Sequence, residues 1–449
     1  MRRRRVVFLV VLVVVVALAC VPTPAPGAPP GPEEAAVGGA PTAIATKALP
    51  PGTKAPPPPP GPLIQPSDLA YLGAFRLPGD APDEIGWLWS GEALAYYPDG
   101  DPGGPDDGFP GSLFGTGHNW NQHVSEVSIP APVVSPGKNL EELNTATTLQ
   151  PFHDIRGGTI DWPLEQPRAG LEYLPPQGGQ DSGKLYFCWA PHLDEGATNP
   201  SHGWAELDLS NPQPAGAWRI GEYLNYVTTD YMFAIPQEWA DAYTPGMRLA
   251  TGRYRDGGQA SFGPSLFAIG PWNEGNPPQS GATVGAVPLL LYGNFYEGEG
   301  SPAMDGYAHS DHWSGGAWLT AGDKSAVVFV GTKGLGETWY GCPDGTVWPE
   351  DPPYPPECPE RGWWSERFAA QIIFYNPADL AAVATGAMES GEPQPYAVME
   401  IEDVLYSADF VLLNHLGAAA FDRERGLLYV LEPLADEERS IVHVWRVEP

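Results

Sequence analysis

Seven of the nine histidines in this 449-residue chain fall in short polar stretches beside apolar runs, in company with carboxylates, cations and aromatic rings. His309, Asp311 and His312 sit together in H-S-D-H-W; His118 and His123 flank Trp120; His192, His202 and His415 occur in comparable stretches. Glu92 and Asp230 each stand at the entry to an apolar run, and Arg253-Tyr254 and Lys333 each follow one. Trp89, Trp120, Tyr231 and Trp313 lie among them.

Three chemistries compete for these groups. Imidazoles from His118, His123, His309, His312 or His415, with Asp311, are the ligand types of a divalent metal such as Zn²⁺, although loop spacing does not set the geometry as a helix would. Two carboxylates drawn from Glu92, Asp230 and Asp311, with Arg253 tuning one of them, suit acid/base cleavage of a glycosidic bond. Arg253 and Tyr254 would also suit β-elimination on a uronate polymer, a polysaccharide-lyase chemistry. That ranks below hydrolysis because the chain carries a formal net charge of −32, which repels a polyanion. The same charge disfavours nucleic acid. Binding without catalysis uses the same residues: Trp89, Trp120, Tyr231 and Trp313 as stacking faces, His192 and Lys333 as polar contacts, for a saccharide or other small polar ligand.

These residues are far apart in the chain, so the fold must gather them. Three β-prone runs, Ala418–Phe421, Leu427–Leu431 and Ile441–Val447, end the sequence, and the same order recurs four times before them, each time followed by a fourth apolar run. Only the last copy lacks a fourth run. An unassigned run, Ala70–Leu77, precedes the first copy and supplies it. The expectation is an all-β, five-bladed β-propeller of four-stranded blades, closed by pairing the N-terminal strand with the last blade. In such a ring, the loops entering the inner strands and those joining second to third strands open on one face, and that face collects the residues above. Five-bladed propellers also house glycosidases, so the architecture resembles theirs, but no signature segment of those families is present.

The remaining features concern address and loops. A basic start at Arg2–Arg5 and a 14-residue apolar run, Val6–Ala19, read as an export signal, too short to span a bilayer comfortably. Ala17-Leu18-Ala19-Cys20 resembles a bacterial lipoprotein box, which implies lipidation of Cys20; Ala17 departs from the branched residue usual there. Val21–Pro62 has 15 prolines in 42 residues and reads as an extended tether. The expected division is therefore residues 1–19 signal, 20–65 tether and 66–449 propeller, in an exported, membrane-anchored, monomeric protein. Cys342 and Cys358 flank a proline-rich excursion and are expected to pair, and Cys188, in K-L-Y-F-C-W-A, reads as a buried thiol. Asp99–Gly108 is acidic enough to suggest Ca²⁺ but lacks EF-hand spacing, so it reads as a solvated turn.

Overall fold

The computed structural model describes residues 61–449 except 105–108, 163–167, 194–195, 255, 299, 350, 357, 359–360 and 408–415. The signal, Cys20 and most of the tether lie outside the described residues, as does His415.

Five antiparallel four-stranded sheets make up the chain; in the first four the strands run in sequence order from inside to outside, the fifth takes its outermost strand from the N-terminal end, and a two-residue strand, Thr283–Val284, adds in parallel to the second. The inner strands are Leu94–Tyr97, Arg168–Leu174, Tyr231–Ala234, His312–Ala321 and Ala419–Asp422. Each inner strand contacts the inner strands of its two neighbours, the last contacting the first, so the five surround one axis. The protein is a five-bladed β-propeller.

Five large apolar clusters form one layer between each pair of adjacent blades, and two smaller clusters lie beside them. Strands near the axis are therefore covered on both faces. This is why Lys184–Ala190 is buried at every position and why its sequence runs apolar instead of alternating. Cys188 lies in the layer between the second and third blades, where burial pushes its thiol up, away from reactivity.

The ring closes where expected. Leu69–Arg76, the outermost strand of the fifth blade, pairs antiparallel with Arg439–Val447 across a bulge between Tyr71 and Gly73. Gly73 has φ 121°, and a Cβ there would stand 2.3 Å from the Val133 backbone. Behind the seam lies a buried relay. Tyr71 Oη bonds His443 Nδ1 at 2.9 Å, His443 Nε2 meets Glu432 Oε2 at 2.8 Å, and Glu432 also accepts the amides of Tyr406 and Ser407. Three strands of the closing blade are thus linked through one imidazole.

Residues 61–65, placed in the tether by composition, already belong to the folded domain. Leu63 bridges Ser325, Ile64 is fully buried, and Tyr396 Oη donates to the Ile64 carbonyl. Ser325 lies at the start of the second strand of the fourth blade, beside its turn from the inner strand, so the chain joins the propeller on the face opposite the inner-strand entries.

In the fourth blade, Lys324–Gly341 and Gly362–Tyr375 pair far beyond their neighbours, raising an arm above the entry face. The Cys342–Cys358 disulfide closes its tip, as the spacing predicted. Short helices at Gln237–Tyr243 and Pro377–Ala384 connect strands of the third and fourth blades, the second capped by Asn376, which accepts the Ala378 amide.

Replacing His443 by Phe leaves the Glu432 carboxylate buried without its imidazole and is expected to cost about 3 kcal/mol. Urea unfolding would read this as a lowered midpoint. A midpoint within error of the parent would show that the relay does not hold the seam.

Candidate functional site

At or just before the start of four of the inner strands stands a polar side chain that reaches its counterparts from the other blades. Arg168 is the centre: its guanidinium faces Asp230 with Nε and Nη2, both at 3.3 Å, while Nη1 lies 3.0 Å from Glu92 Oε2 and Nη2 lies 3.3 Å from His312 Nε2. A guanidinium can only donate, so His312 Nε2 accepts and the ring carries its proton on Nδ1. The four come from four different blades.

The members differ in exposure. The Asp230 side chain is fully buried and that of Arg168 is 9% exposed, whereas a fifth of the Glu92 side chain remains open. Burial pushes the Asp230 carboxyl up to about 7, opposed by Arg168 and assisted by the charge of Glu92. Burial alone would lower the Arg168 guanidinium, but the two carboxylates hold it above its ordinary value.

Over this hub opens a cavity of about 220 Å³. Its polar lining is Glu92, Arg168, His312, Asn119 and Ser314, and its walls include Trp89, Leu416 and Leu434. Two wall residues hold the left-handed backbone region that non-glycine residues rarely adopt, Trp89 at φ 52° and Leu434 at φ 59°. Trp89 is held by its amide, which donates to the Glu438 carbonyl, and by its carbonyl, which accepts the Asn119 amide. Its indole is 43% exposed at the rim. Gly91 and Gly417 let the first and fifth blades touch beside the cavity: a Cβ on Gly417 would stand 2.3 Å from the Gly91 carbonyl oxygen.

The far end of the axis is occupied by protein. Arg423, following the fifth inner strand, donates to the Ala234 carbonyl of the third blade and to Thr320 Oγ1 of the fourth. Beside it, burial pushes the Glu172 carboxyl up to about 8 against the pull of Arg423, and Glu172 accepts the Ala234 amide. Charged residues thus sit at both ends of the axis, and the cavity described above opens on the entry face.

Of the residues singled out from sequence, Glu92, Asp230 and His312 converge, and Trp89 stands at the rim. The others are placed differently. Asp311 is fully buried and committed to Lys333 Nζ at 2.7 Å and to the amides of Ala308 and Gly334; burial raises its carboxyl to about 6 against these donors. Lys333 also donates to the Gly334 carbonyl. Arg253 is buried, donating to the carbonyls of Pro191 and His192 and lying over the Tyr226 ring. Tyr254 is buried with its hydroxyl toward the Ala308 carbonyl. Tyr231 donates to the Ser265 carbonyl, and Trp313 is fully buried between the third and fourth blades.

Among the described residues no three His, Cys, Asp or Glu side chains are placed to hold a metal ion together. His309 stacks on Trp363 and shares its Nδ1 with Tyr307, while His118 Nδ1 accepts the Trp120 amide. Burial lowers the affinity of His118, His123 and His309 for a proton. His202, expected in a loop, begins a strand and is fully buried between Ser201 and Thr251, where burial lowers its pKa to about 3 and keeps it neutral.

Arg168, the centre of the hub, was not among the residues singled out from the sequence; it is the first residue of the second inner strand, Arg168–Leu174. The available signal was positional: Glu92, Arg168, Asp230 and His312 all stand at or just before the start of an inner strand.

Replacing Arg168 by Met leaves the Asp230 carboxyl buried without its cation, a change expected to cost about 3 kcal/mol near neutral pH. A carboxyl whose folded pKa lies above its unfolded value favours folding below the unfolded value and loses that contribution as pH rises through the folded one. The penalty should therefore shrink toward pH 4 and grow above pH 7 in denaturation curves. A pH-independent penalty would remove Asp230 from the account.

Comparison with protein-family models and with curated proteins finds no match to this sequence. The assignment of the mouth therefore rests on its own geometry.

Proposed function

We propose that the mouth binds a small polyhydroxylated ligand, one sugar ring or its equivalent, without breaking it. The observation that carries this is the pairing of an exposed indole, Trp89, with a hub offering acceptor and donor groups, Glu92, Arg168 and His312, around one small cavity. A sugar presents just these needs: C–H faces stack on a ring and hydroxyls both donate and accept. The cavity is below the roughly 300–1,000 Å³ of drug-sized sites, which suits a single ring better than a buried oligomer.

Binding is favoured over hydrolysis by the state of the carboxylates. Glycosidic cleavage needs two that reach the same bond. Asp230 has no exposed side-chain surface and Asp311 is saturated, leaving Glu92 alone.

Calorimetry against a panel of neutral monosaccharides tests the reading. Trp89→Ala is expected to weaken the best ligand about tenfold, roughly 1.4 kcal/mol, with an unchanged melting temperature. No heat with any sugar, or a ligand indifferent to Trp89, would overturn it.

We also propose that the domain is exported and held at a membrane by lipid on Cys20, on the strength of the basic start, the apolar run and the proline-rich tether. Cys20→Ser should move the protein from the membrane to the soluble fraction. Persistence in the membrane fraction would sink the anchor.

A further inference from the structure

Among the described residues six aromatic side chains are exposed: Trp89, Trp120, Phe295, Tyr296, Tyr340 and Tyr354. All six lie on the face that carries the mouth. Trp89 precedes the first inner strand; Trp120 is in the loop between second and third strands of the first blade; Phe295 and Tyr296 precede the fourth inner strand; Tyr340 and Tyr354 belong to the arm. No exposed aromatic occurs elsewhere among the described residues: Val134 on the opposite face and Val398 on an outer strand are aliphatic, while Leu193, Leu224 and Val347 add exposed aliphatic groups to the mouth face. The described start of the chain, residues 61–65, is on the opposite face.

Several of these rings are held in place. Trp120 is 79% exposed, yet its amide donates to His118 Nδ1 and its ring lies 4.9 Å from that imidazole. Tyr354 stacks on Trp348 with planes 12° apart, and the Arg361 guanidinium lies over the Trp348 ring at 4.4 Å. The Cys342–Cys358 disulfide closes the loop that carries Trp348 and Tyr354. Rings ordered before the ligand arrives lose little entropy on binding.

Resting on the saccharide reading of the mouth, we infer that this face holds an extended, uncharged glycan chain, one sugar in the mouth and others on the rim rings, with Trp120 and Tyr354 as outer contacts. Separate rings on loops of different blades can each meet the C–H face of one sugar along a chain. A stable protein partner would bury about 800 Å² a side in one closely packed patch, whereas these rings stand on separate loops of the first blade, of the connection between the third and fourth, and of the arm. Charge decides between glycans. A chain of net charge −32 repels uronate and sulfated polymers, and a neutral polymer carries no such penalty.

The test is electrophoresis through gels containing xylan, mannan or β-1,3-glucan, with pectate as the anionic comparison, beside calorimetry with the constituent monosaccharides. At least one neutral polymer should retard the parent protein, and pectate should not. The double variant Trp120→Ala/Tyr354→Ala should lose about tenfold in polymer affinity while its monosaccharide affinity and melting temperature stay unchanged. Polymer retention unaffected by the double variant, or stronger retention by pectate, overturns the inference. So does a concentration-dependent dimer in sedimentation that the same substitutions abolish, which would assign the rings to self-association. Monosaccharide binding without polymer retention defeats this inference alone, whereas absence of both defeats the reading of the mouth as well.

Discussion

A blade of four strands has two free edges and two apolar faces, and water tolerates neither. The faces are covered by neighbouring blades. The ring has to shut for the last pair of faces to meet, and it shuts through one antiparallel pairing, Leu69–Arg76 against Arg439–Val447. Everything at the mouth depends on that pairing, because the fifth blade then stands beside the first and brings Leu416, Gly417 and Leu434 against Trp89, Gly91 and Glu92. The seam accordingly carries more than a strand ladder: the Tyr71–His443–Glu432 relay couples its strands, and Glu432 reaches on to the backbone at Tyr406 and Ser407.

Closing five sheets around an axis brings polar strand entries together where little water reaches. The hub at Arg168 is one answer to that problem: two carboxylates and an imidazole arranged about a planar cation whose several donors point in different directions. Arg423 is the counterpart at the other end, bridging from the fifth blade to the third and fourth. The two ends differ in what is left over. Arg423 is spent on carbonyl, hydroxyl and Glu172, whereas the entry end retains open surface on Glu92, beside a tryptophan kept in a strained backbone conformation. Strain of that kind costs on the order of 1–3 kcal/mol and persists where the surroundings dictate it. Here it fixes an indole at the rim of a polar cavity.

The site was legible in part. Glu92, Asp230 and His312 could be chosen because they stand at strand entries, and Trp89 because it lies just ahead of one. Asp311, Arg253 and Tyr254 look equally suitable in the sequence. They are consumed by the framework: Asp311 by Lys333 and two amides, Arg253 by the carbonyls of Pro191 and His192, Tyr254 by burial in the layer between the third and fourth blades. Residue type and position relative to a strand do not report how many partners a loop will supply. Arg168 shows the opposite failure, a residue passed over although it opens an inner strand, because nothing in its sequence neighbourhood marks the partners that meet it.

What the sequence determined by itself was the repeat, the closing strand, the disulfide and the identity of the mouth-bearing face, because apolar runs, turn residues and cysteine spacing are local properties. The tertiary structure alone decided which polar groups became framework and which stayed open, where the tether's last residues dock, and that every exposed aromatic ring shares one face among the described residues. Those outcomes depend on contacts between residues as distant in the chain as Arg168 and His312, and on competition for hydrogen-bond partners that exists only once five blades are packed around a common axis.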